Sequence, residues 1–411
     1  MRTLLLAGLF CASALGAASA QGDLARRQQM RVDVAYLASD LLAGRAAGTP
    51  FADEAARYIA ARMADVGLEP VGASASFLQT FPLAVAGHGG QRDAPALSTS
   101  NVLGYLDRGA PATVVVGAHY DHLGFGGPAS GSLHTGEPAP HNGADDNASG
   151  VAVLLDLAAR LARDTALDDY NFLFAAFSAE EVGLVGSKYL VEHLPDSTGR
   201  VAAMLNFDMV GRLGGDGVLA VNGTGTSPSW APLLDSAAAG RAELRPYASG
   251  LGPSDHASFY LADVPVLHFF TGQHAQYHKP GDDVVLVDFA GMATVSDLVF
   301  DLIAALPPPD RLAFAKTKDE AQREVSAFKV TMGVMPDYVF GGEGMRIDGV
   351  LDDRPAQRAG LERGDVLVEI GGAPVGDIYD YMDALGELEP GQSVNVVIVR
   401  GADRLRKRVT F

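Results

Sequence analysis

Four unbroken apolar segments constrain the fold of this chain more than any other feature. They are TVVVGA at 113–118, NFLFAAF at 171–177, AAMLNF at 202–207 and VPVLHFF at 264–270. Strands without polar alternation are typical of sheets that are covered on both faces. Amphipathic helices lie between them, for example at 151–162 and 185–194. We therefore predict a three-layer α/β/α domain around a central, mostly parallel mixed sheet.

The flanking regions set the expected domain boundaries. Residues 32–72 have helical periodicity, and the Gly-, Ala- and Ser-rich segment 84–100 predicts a loop. The sequence Leu306-Pro307-Pro308-Pro309 marks the expected end of the first domain, and short alternating strands begin near residue 330. We predict a first domain over 21–306, a polar linker over 307–329 and a small, mainly β domain over 330–411.

The first twenty residues resemble an export signal. Arg2 precedes an apolar run from Leu4 to Leu15, and Ala18-Ser19-Ala20 form a small-residue cleavage site. No later stretch approaches the 18 apolar residues that span a bilayer. We expect a signal peptide over 1–20, a periplasmic or secreted protein, and no stable membrane insertion after the leader is removed.

Composition excludes some classes of function. The single cysteine, Cys11, lies within the leader, so the mature chain is expected to have no disulfide and no thiol nucleophile. The formal net charge is −19. Because such a chain repels phosphate backbones and anionic membranes, nucleic-acid binding is disfavoured.

Potential metal ligands follow the apolar strands or precede a helix, where the carboxyl edge of an open α/β sheet binds ligands. They are His119 and Asp121 in GAHYDH, Asp146 in NGADDNASG, Glu180 and Glu181 in FSAEEVG, Asp208 in LNFDMVG and His278 in QYHKPGDD. Imidazoles and carboxylates are the ligand set of hydrolytic zinc. Two such ions about 3.5–4 Å apart can share a carboxylate, activate a water and polarise a carbonyl. An extra carboxylate, Glu180, is placed to move protons.

Each motif also has a structural interpretation. A histidine at a strand end is more often structural than a ligand, and Asp145 and Asp146 could cap the helix that follows them. Acids beside buried strands, such as Asp208, are costly unless a cation compensates them. Asp121 could accept the second imidazole proton of His119, whereas His122 is predicted to be a surface or pocket residue.

Taken together, these motifs resemble the co-catalytic zinc aminopeptidases of family M28 over residues 33 to about 305. The matching strings are GAHYDHLG, NGADDNASGVA, FSAEEVGLVGS, NFDMVGR, GPSDHASF and HKPGDD, in that order. The resemblance implies that Asp146 bridges two zinc ions. One ion would take His119 and Asp208, and the other would take Glu181 and His278. Glu180 would then be the general base.

The resemblance also implies that Ser254 and Asp255 line the site and support its ligands. Some family members carry a tyrosine three residues before that serine, where it stabilises the tetrahedral oxyanion. This sequence has Leu251 there, so the oxyanion donor is open, with Tyr247 and Tyr260 as alternative tyrosines.

Residues 330–411 resemble a bacterial PDZ domain through GVLDDRPAQRAGLERGDVLVEIGGAPV. PDZ domains bind extended C-terminal segments at a sheet edge and hold the carboxylate with backbone amides. The expected loop, Phe340-Gly341-Gly342-Glu343-Gly344, is an imperfect match, and Glu343 would repel a carboxylate. A peptide-binding domain and a tethering or regulatory domain are both compatible with this sequence.

The resulting functional hypothesis is an exported aminopeptidase that uses two zinc ions and acts on peptides with a free N-terminus. The alternatives are a dipeptidase, a carboxypeptidase, a glutaminyl cyclase on the same fold and a non-catalytic scaffold. The cyclase is disfavoured because the single tryptophan, Trp230, lies outside every motif. The scaffold is disfavoured because no ligand or base is missing. A serine hydrolase is disfavoured because the chain has no Gly-x-Ser-x-Gly elbow.

Overall fold

A computed structural model describes most of the chain after the expected leader. The described residues are 21–71, 75–83, 97–127, 130–214, 217–317, 330–336, 340, 342–350, 354–376 and 378–411. Within these ranges the chain forms two separate sheets, one before and one after the gap at 318–329.

The first sheet has nine strands among the described residues, in the order β1-β3-β5-β4-β6-β9-β7-β8 with β2 paired to β3. The strands are β1 Glu69–Pro70, β2 Leu78–Leu83, β3 Leu97–Leu106, β4 Ala112–His119, β5 Asn171–Phe177, β6 Arg200–Phe207, β7 Val218–Asn222, β8 Glu243–Pro246 and β9 Val266–Phe270. The central strands β5, β4, β6 and β9 are parallel, whereas β3 and β7 join them antiparallel. This confirms the predicted mixed sheet and its parallel centre, but the sheet is not mostly parallel, because four of its eight pairings are antiparallel.

Helices cover both faces of this sheet. They are α1 over 21–37, α2 Pro50–Asp65, α3 Gly150–Arg163, α4 Val185–Glu192, α5 Trp230–Ala238, α6 His256–Tyr260 and α7 Phe289–Ala304. Alternate residues of β5 enter two different apolar clusters. Phe172 and Phe174 pack with α3 and α7, whereas Leu173 and Phe177 pack with Leu190 of α4. Side chains of a strand alternate between faces, so both faces of β5 are buried and the three-layer prediction is confirmed.

Two predicted connections differ from the structure. The segment 84–100 was expected to be a loop, but residues 97–100 begin β3 and pair with β2, while 84–96 lie outside the described residues. Residues 307–317, expected to be a linker, pack on the first domain. Leu312 enters its main core, and the Thr317 hydroxyl lies 2.7 Å from that of Tyr260. The first domain therefore continues beyond residue 306. The three prolines follow the end of α7, but the residues after them still pack on the first domain.

The second sheet has six strands among the described residues, in the order β10-β11-β12-β14-β15 with β13 paired to β12. The elements are β10 Val334–Pro336, β11 Met345–Val350, α8 Pro355–Arg358, β12 Val366–Ile370, β13 Ala373–Pro374, α9 Ile378–Gly386, β14 Ser393–Arg400 and β15 Asp403–Thr410. Every pairing in this sheet is antiparallel.

The predicted carboxylate-binding loop connects β10 to β11, and its Gly341 lies outside the described residues. Among the residues that the structure does describe, no helix has the length and apolar character needed to cross a bilayer.

Candidate metal centre

The candidate ligands meet at the carboxyl edge of the first sheet. His119 is the last residue of β4, Asp208 directly follows β6, and Glu180 follows β5 by three residues. Because these strands are parallel, their carboxyl ends lie at one edge. Asp146 reaches the same place from the irregular turn Ala144–Ser149 before α3, and His278 comes from the loop after β9.

The Asp146 carboxylate stands between two groups of ligand atoms. Its Oδ1 lies 3.3 Å from His119 Nε2, which is also 3.3 Å from Asp208 Oδ1. Its Oδ2 lies 3.3 Å from His278 Nε2, which is 3.4 Å from Glu181 Oε2. We call His119, Asp208 and Asp146 the first triad, and His278, Glu181 and Asp146 the second triad.

Both imidazoles turn Nε2 toward the triads because Nδ1 faces a backbone carbonyl. His278 Nδ1 lies 2.9 Å from Gly131 O, and His119 Nδ1 lies 3.2 Å from Asp121 O. A Nδ1–H that donates to a carbonyl leaves the Nε2 lone pair for a metal. The Asp121 carboxylate was expected to accept this proton. It lies 3.9 Å from Nδ1 and instead accepts the backbone N–H of Glu180 at 3.1 Å.

The donor atoms fit zinc. Bonds of about 2.0–2.1 Å in a tetrahedron place neighbouring ligand atoms about 3.3–3.4 Å apart, which is close to the four histidine–carboxylate separations in the triads. The carboxylates also favour positive charge. Burial alone would lower the pKa of His278, but Glu181 and Asp146 raise it to about 9. Burial and the Asp146 charge raise the pKa of Glu181 to about 7.

Glu180 lies against the first triad. The ligand atoms of His119, Glu180 and Asp208 are all within 4.8 Å of one another. Burial, which is opposed by His119 and reinforced by Glu181, raises the pKa of the Glu180 carboxyl well above its usual range. The raised pKa means that this site favours the protonated form of Glu180 more than water does.

His122 contacts the second triad directly, a role that the sequence prediction missed. It is 2% exposed, and its Nδ1 lies 2.6 Å from Glu181 Oε1. Burial lowers the pKa of His122 to about 3, so the ring is neutral. A neutral ring that donates to Oε1 leaves Oε2 of Glu181 for the metal. The only signal in the sequence was its spacing in HYDH, three residues after His119.

Arg45 is a second residue that the sequence prediction missed. Its guanidinium is fully buried and donates to the carbonyls of Tyr120 at 2.6 Å, Leu37 at 2.9 Å and Gly143 at 2.7 Å. It also donates to Asn142 O and, at 3.4 Å, to Asp146 O. Apart from Leu37, the last residue of α1, these acceptors lie in the loops that carry Asp121 and Asp146, so Arg45 fixes one loop against the other.

Asp282 also holds the turn that carries Asp146. Its Oδ2 accepts the backbone N–H groups of Asp145 and Asp146 at 2.9 and 3.0 Å. Its Oδ1 lies 3.0 Å from Arg212 Nη2, and His274 Nε2 lies 3.3 Å from Asp145 Oδ2. The turn that presents the Asp146 carboxylate is therefore anchored by several buried charged groups.

The remaining predicted residues divide between the site and its support. Ser254 lines the cleft, and its Oγ accepts Asn206 Nδ2 at 2.8 Å. Asp255 is fully buried, and its carboxylate has no hydrogen-bond partner among the described residues. It therefore makes no hydrogen bond to a candidate metal-binding side chain. Tyr260 is also buried, with its hydroxyl on Thr317, and is therefore not directed toward the metal ligands.

The triads open into a cleft of about 390 Å³. Its walls combine the acidic groups with apolar and neutral polar side chains. The lining residues are Asp146, Glu180, Glu181, Gly183, Leu184, Asp208, Met209, Asn222, Pro253, Ser254, His268, Phe270, Gln273, Tyr277 and His278. Neither Tyr247 nor Leu251 is among them.

Comparison with protein families identifies both domains. Residues 101–303 match the model of peptidase family M28, over the segment that supplies both triads. The first domain is an M28 peptidase domain. Residues 330–410 match the PDZ domain model, so a PDZ domain follows the M28 domain.

Known proteins with M28-like sequences or folds support this assignment. The chain is 30% identical to aminopeptidase YwaD of Bacillus subtilis (strain 168) over 198 residues, which cover 46% of this chain and 40% of YwaD. The curated relatives are matched over 18% to 59% of their own lengths, less than two thirds.

Two solved structures share the fold of the M28 domain. A zinc aminopeptidase from Bacillus subtilis superposes with a TM-score of 0.51 at 21% identity, covering 67% of this chain and 94% of that chain. A glutaminyl cyclase from Bacteroides thetaiotaomicron superposes with a TM-score of 0.55 at 18% identity, covering 68% and 98%. The fold alone therefore does not distinguish a peptidase from a cyclase.

Proposed function

We propose that this protein is an exported, zinc-dependent aminopeptidase that removes N-terminal residues from peptides. The observation that carries this proposal is the Asp146 carboxylate, which has one oxygen 3.3 Å from the Nε2 of His119 and the other 3.3 Å from that of His278. A carboxylate in this position suits two ions that share a ligand.

In this proposal, one zinc ion is held by His119, Asp208 and Asp146, and the other by His278, Glu181 and Asp146. When bound, the ions would polarise the scissile carbonyl and lower the pKa of the attacking water. The protein contributes fixed ligand directions, because His122 holds Glu181 while carbonyl oxygens hold both imidazoles.

Glu180 is proposed to move the proton. It accepts one proton from the attacking water as the water oxygen bonds to the carbonyl carbon. It then gives that proton to the leaving amine as the C–N bond breaks. Its backbone N–H is fixed by Asp121, so Asp121 orients the base as well as the loop beside His119.

A glutaminyl cyclase remains the principal alternative on this fold. The tryptophan distribution favours the peptidase, because Trp230 is completely buried and donates its indole N–H to Thr226. The aromatic residues at the cleft are Phe270 and Tyr277. The cyclase hypothesis predicts conversion of N-terminal glutamine peptides without release of an amino acid.

Two further parts of the proposal concern residues outside the site. The leader at 1–20, on which export rests, lies outside the described residues. The PDZ domain is proposed to bind a peptide or protein ligand at the free edge of β10, the terminal strand of the described sheet.

The deciding experiment is mass spectrometry of a peptide mixture incubated with the zinc-loaded protein, with each peptide present in free and N-acetylated forms. Stepwise loss of N-terminal residues from the free forms alone is the expected result. Cleavage of both forms, or from the C-terminus, would require a different peptidase type. Glutamine cyclisation without cleavage would favour the cyclase, and no reaction by the zinc-loaded protein would favour the scaffold.

A further inference from the structure

The candidate ligand His278 is held at two points by a segment that is distant in sequence. Its backbone has a φ of 54°, a left-handed conformation that is costly for a residue with a Cβ unless its neighbours maintain it. Leu133 N–H donates to His278 O at 2.9 Å, and His278 Nδ1 lies 2.9 Å from Gly131 O. Residues 131–133, which we call the clamp segment, therefore fix both the backbone and the imidazole of this ligand. The His278 side chain is 15% exposed, against 1% for His119, so packing alone restrains it less.

Ser132, the middle residue of the clamp segment, is bonded to a buried histidine. Its Oγ lies 2.7 Å from His141 Nε2 and accepts the backbone N–H of His134 at 3.0 Å. His141 Nδ1 lies 2.9 Å from Ala139 O, a carbonyl that can only accept. Burial lowers the pKa of His141, so the ring is neutral and its one proton resides on Nδ1. The Ser132 hydroxyl therefore donates to Nε2, and every polar atom of this pair has a partner.

His141 is itself fixed firmly enough to anchor the clamp segment. It is completely buried, and its backbone N–H donates to Gly124 O at 2.8 Å. Gly126 lies so close to the ring that a Cβ at that position would clash with His141 Cε1. The next residue, Asn142, has its carbonyl held by the buried guanidinium of Arg45. His141 therefore belongs to the part of the chain that Arg45 fixes.

We propose that the hydrogen bond between Ser132 and His141 positions His278 and thereby sets the zinc affinity of the second triad. This inference rests on the two-ion centre of the proposed function. His141 holds the Ser132 hydroxyl, and the clamp segment holds His278 through the groups on either side of that serine. Neither Ser132 nor His141 is among the described residues that line the cleft, so both act through His278 and not on a substrate.

Zinc titration of the whole protein against a chromogenic chelator tests this role. Ser132→Ala removes the hydroxyl, and the affinity for one zinc ion is expected to fall about 10-fold while the affinity for the other stays unchanged. Ser132→Thr keeps a hydroxyl and should recover most of the lost affinity. Ser236→Ala, at an exposed position of α5, is the matched control.

Double variants show whether the effect passes through His141 and His278. His141→Phe keeps a ring but removes the acceptor, so it should weaken binding of the same ion as Ser132→Ala. Adding Ser132→Ala to His141→Phe should then cause little further loss, because both substitutions remove one shared bond. In a chain that already carries His278→Ala, Ser132→Ala should leave the affinity for the remaining ion unchanged, because the imidazole that it positions is absent.

The outcomes distinguish this inference from the proposed function. Equal zinc affinities in wild type and Ser132→Ala would overturn the role of the pair and leave the aminopeptidase proposal standing. An equal loss at both ions, or a Ser132→Thr variant as weak as Ser132→Ala, would also overturn it, since neither result is specific to the hydroxyl and His278. A wild-type protein that binds fewer than two zinc ions would overturn the two-ion centre together with this inference. A wild type that binds two ions but cleaves no peptide would overturn the proposed function alone.

Discussion

Glu180 and Glu181 are neighbours in sequence but have different surroundings in the structure. Glu181 directs Oε2 toward His278 and Oε1 toward His122. Glu180 lies by the first triad, with its backbone fixed by Asp121. Distance alone allows Glu180 to be a ligand or a base, so a substitution must separate these two roles.

Glu180→Gln is expected to keep both metal ions and lower kcat by about 10²- to 10⁴-fold, because an amide cannot accept the proton. Steady-state kinetics and elemental analysis of metal content measure the two effects. Glu192→Gln, at the exposed end of α4, serves as the control. Wild-type turnover in Glu180→Gln would exclude the base, and loss of one ion would make Glu180 a ligand.

His122→Phe is expected to weaken zinc binding about 10- to 100-fold, because Glu181 loses the partner that orients it. Competition with a chromogenic chelator gives the affinity. His134→Phe is a suitable control, since His134 is exposed and its ring Nε2 lies 3.2 Å from Glu137 O, away from Glu181. Unchanged affinity in His122→Phe would mean that the contact of His122 with Glu181 does not support the metal.

At the scale of elements, Arg45 joins the loop after the first helices to the two loops that carry Asp121 and Asp146. Arg45→Met keeps much of the side-chain volume, but it leaves the carbonyl oxygens that Arg45 now bonds without a donor. We expect the free energy of unfolding to fall by at least about 3 kcal/mol, measured by urea denaturation. Arg57→Met, in an exposed pair with Glu54, should leave stability nearly unchanged. Similar midpoints for both variants would contradict this role of Arg45.

Elements whose residues share one environment could be predicted from the sequence. Strands β4, β5, β6 and β9 are mostly apolar because nearly all of their residues are buried, on both faces of the sheet. The start of β3 was missed because its Ser and Thr hydroxyls bond to hydroxyls of neighbouring segments, Thr99 to Ser178 after β5 and Ser100 to Thr80 of β2. Arg45 was missed because its partners are backbone carbonyls, which leave no side-chain pattern in the sequence.

The same reasoning explains what could be predicted of the site. The candidate ligands were recognisable because acids and histidines at the ends of buried strands contrast with their surroundings. His122 was not assigned, because its role depends on which ring nitrogen faces Glu181. Such an orientation arises only when the carboxyl ends of β4 and β5 lie side by side.

At the scale of the whole molecule, the M28 domain extends past residue 306. A chain of residues 21–317 should keep the thermal stability of the M28 domain. A chain of residues 21–306 should lose about 2–4 kcal/mol, because Leu312 and Phe314 leave their apolar clusters. Calorimetric unfolding compares the two. Equal stability would mean that 307–317 contribute nothing to the fold.

Metal removal should lower the stability of the folded chain by an amount that depends on pH. In the metal-free chain the pKa is raised to about 7 for Glu181 and about 9 for His278, from ordinary values of 4.5 and 6.5. The folded chain then holds these protons more tightly than the unfolded chain. The resulting stabilisation is complete below the ordinary pKa values and is lost as pH rises through about 7 and then about 9.

Zinc replaces those protons, so the difference in Tm between zinc-loaded and chelator-treated protein should grow from about pH 5.5 to about pH 7.5. Groups far from the site titrate alike in both forms, so their contribution to Tm cancels in this difference. A difference that stays constant or shrinks over this range would contradict the coupling between metal and protons.

The ligands of the two triads are unevenly distributed along the chain. His119, Asp146 and Asp208 are all translated before residue 209, whereas the second triad waits for His278. A nascent chain that ends before His278 therefore contains every residue of the first triad but only Asp146 and Glu181 of the second. The order of synthesis consequently makes the His278 loop the last piece to complete the centre, seventy residues after the first triad is complete.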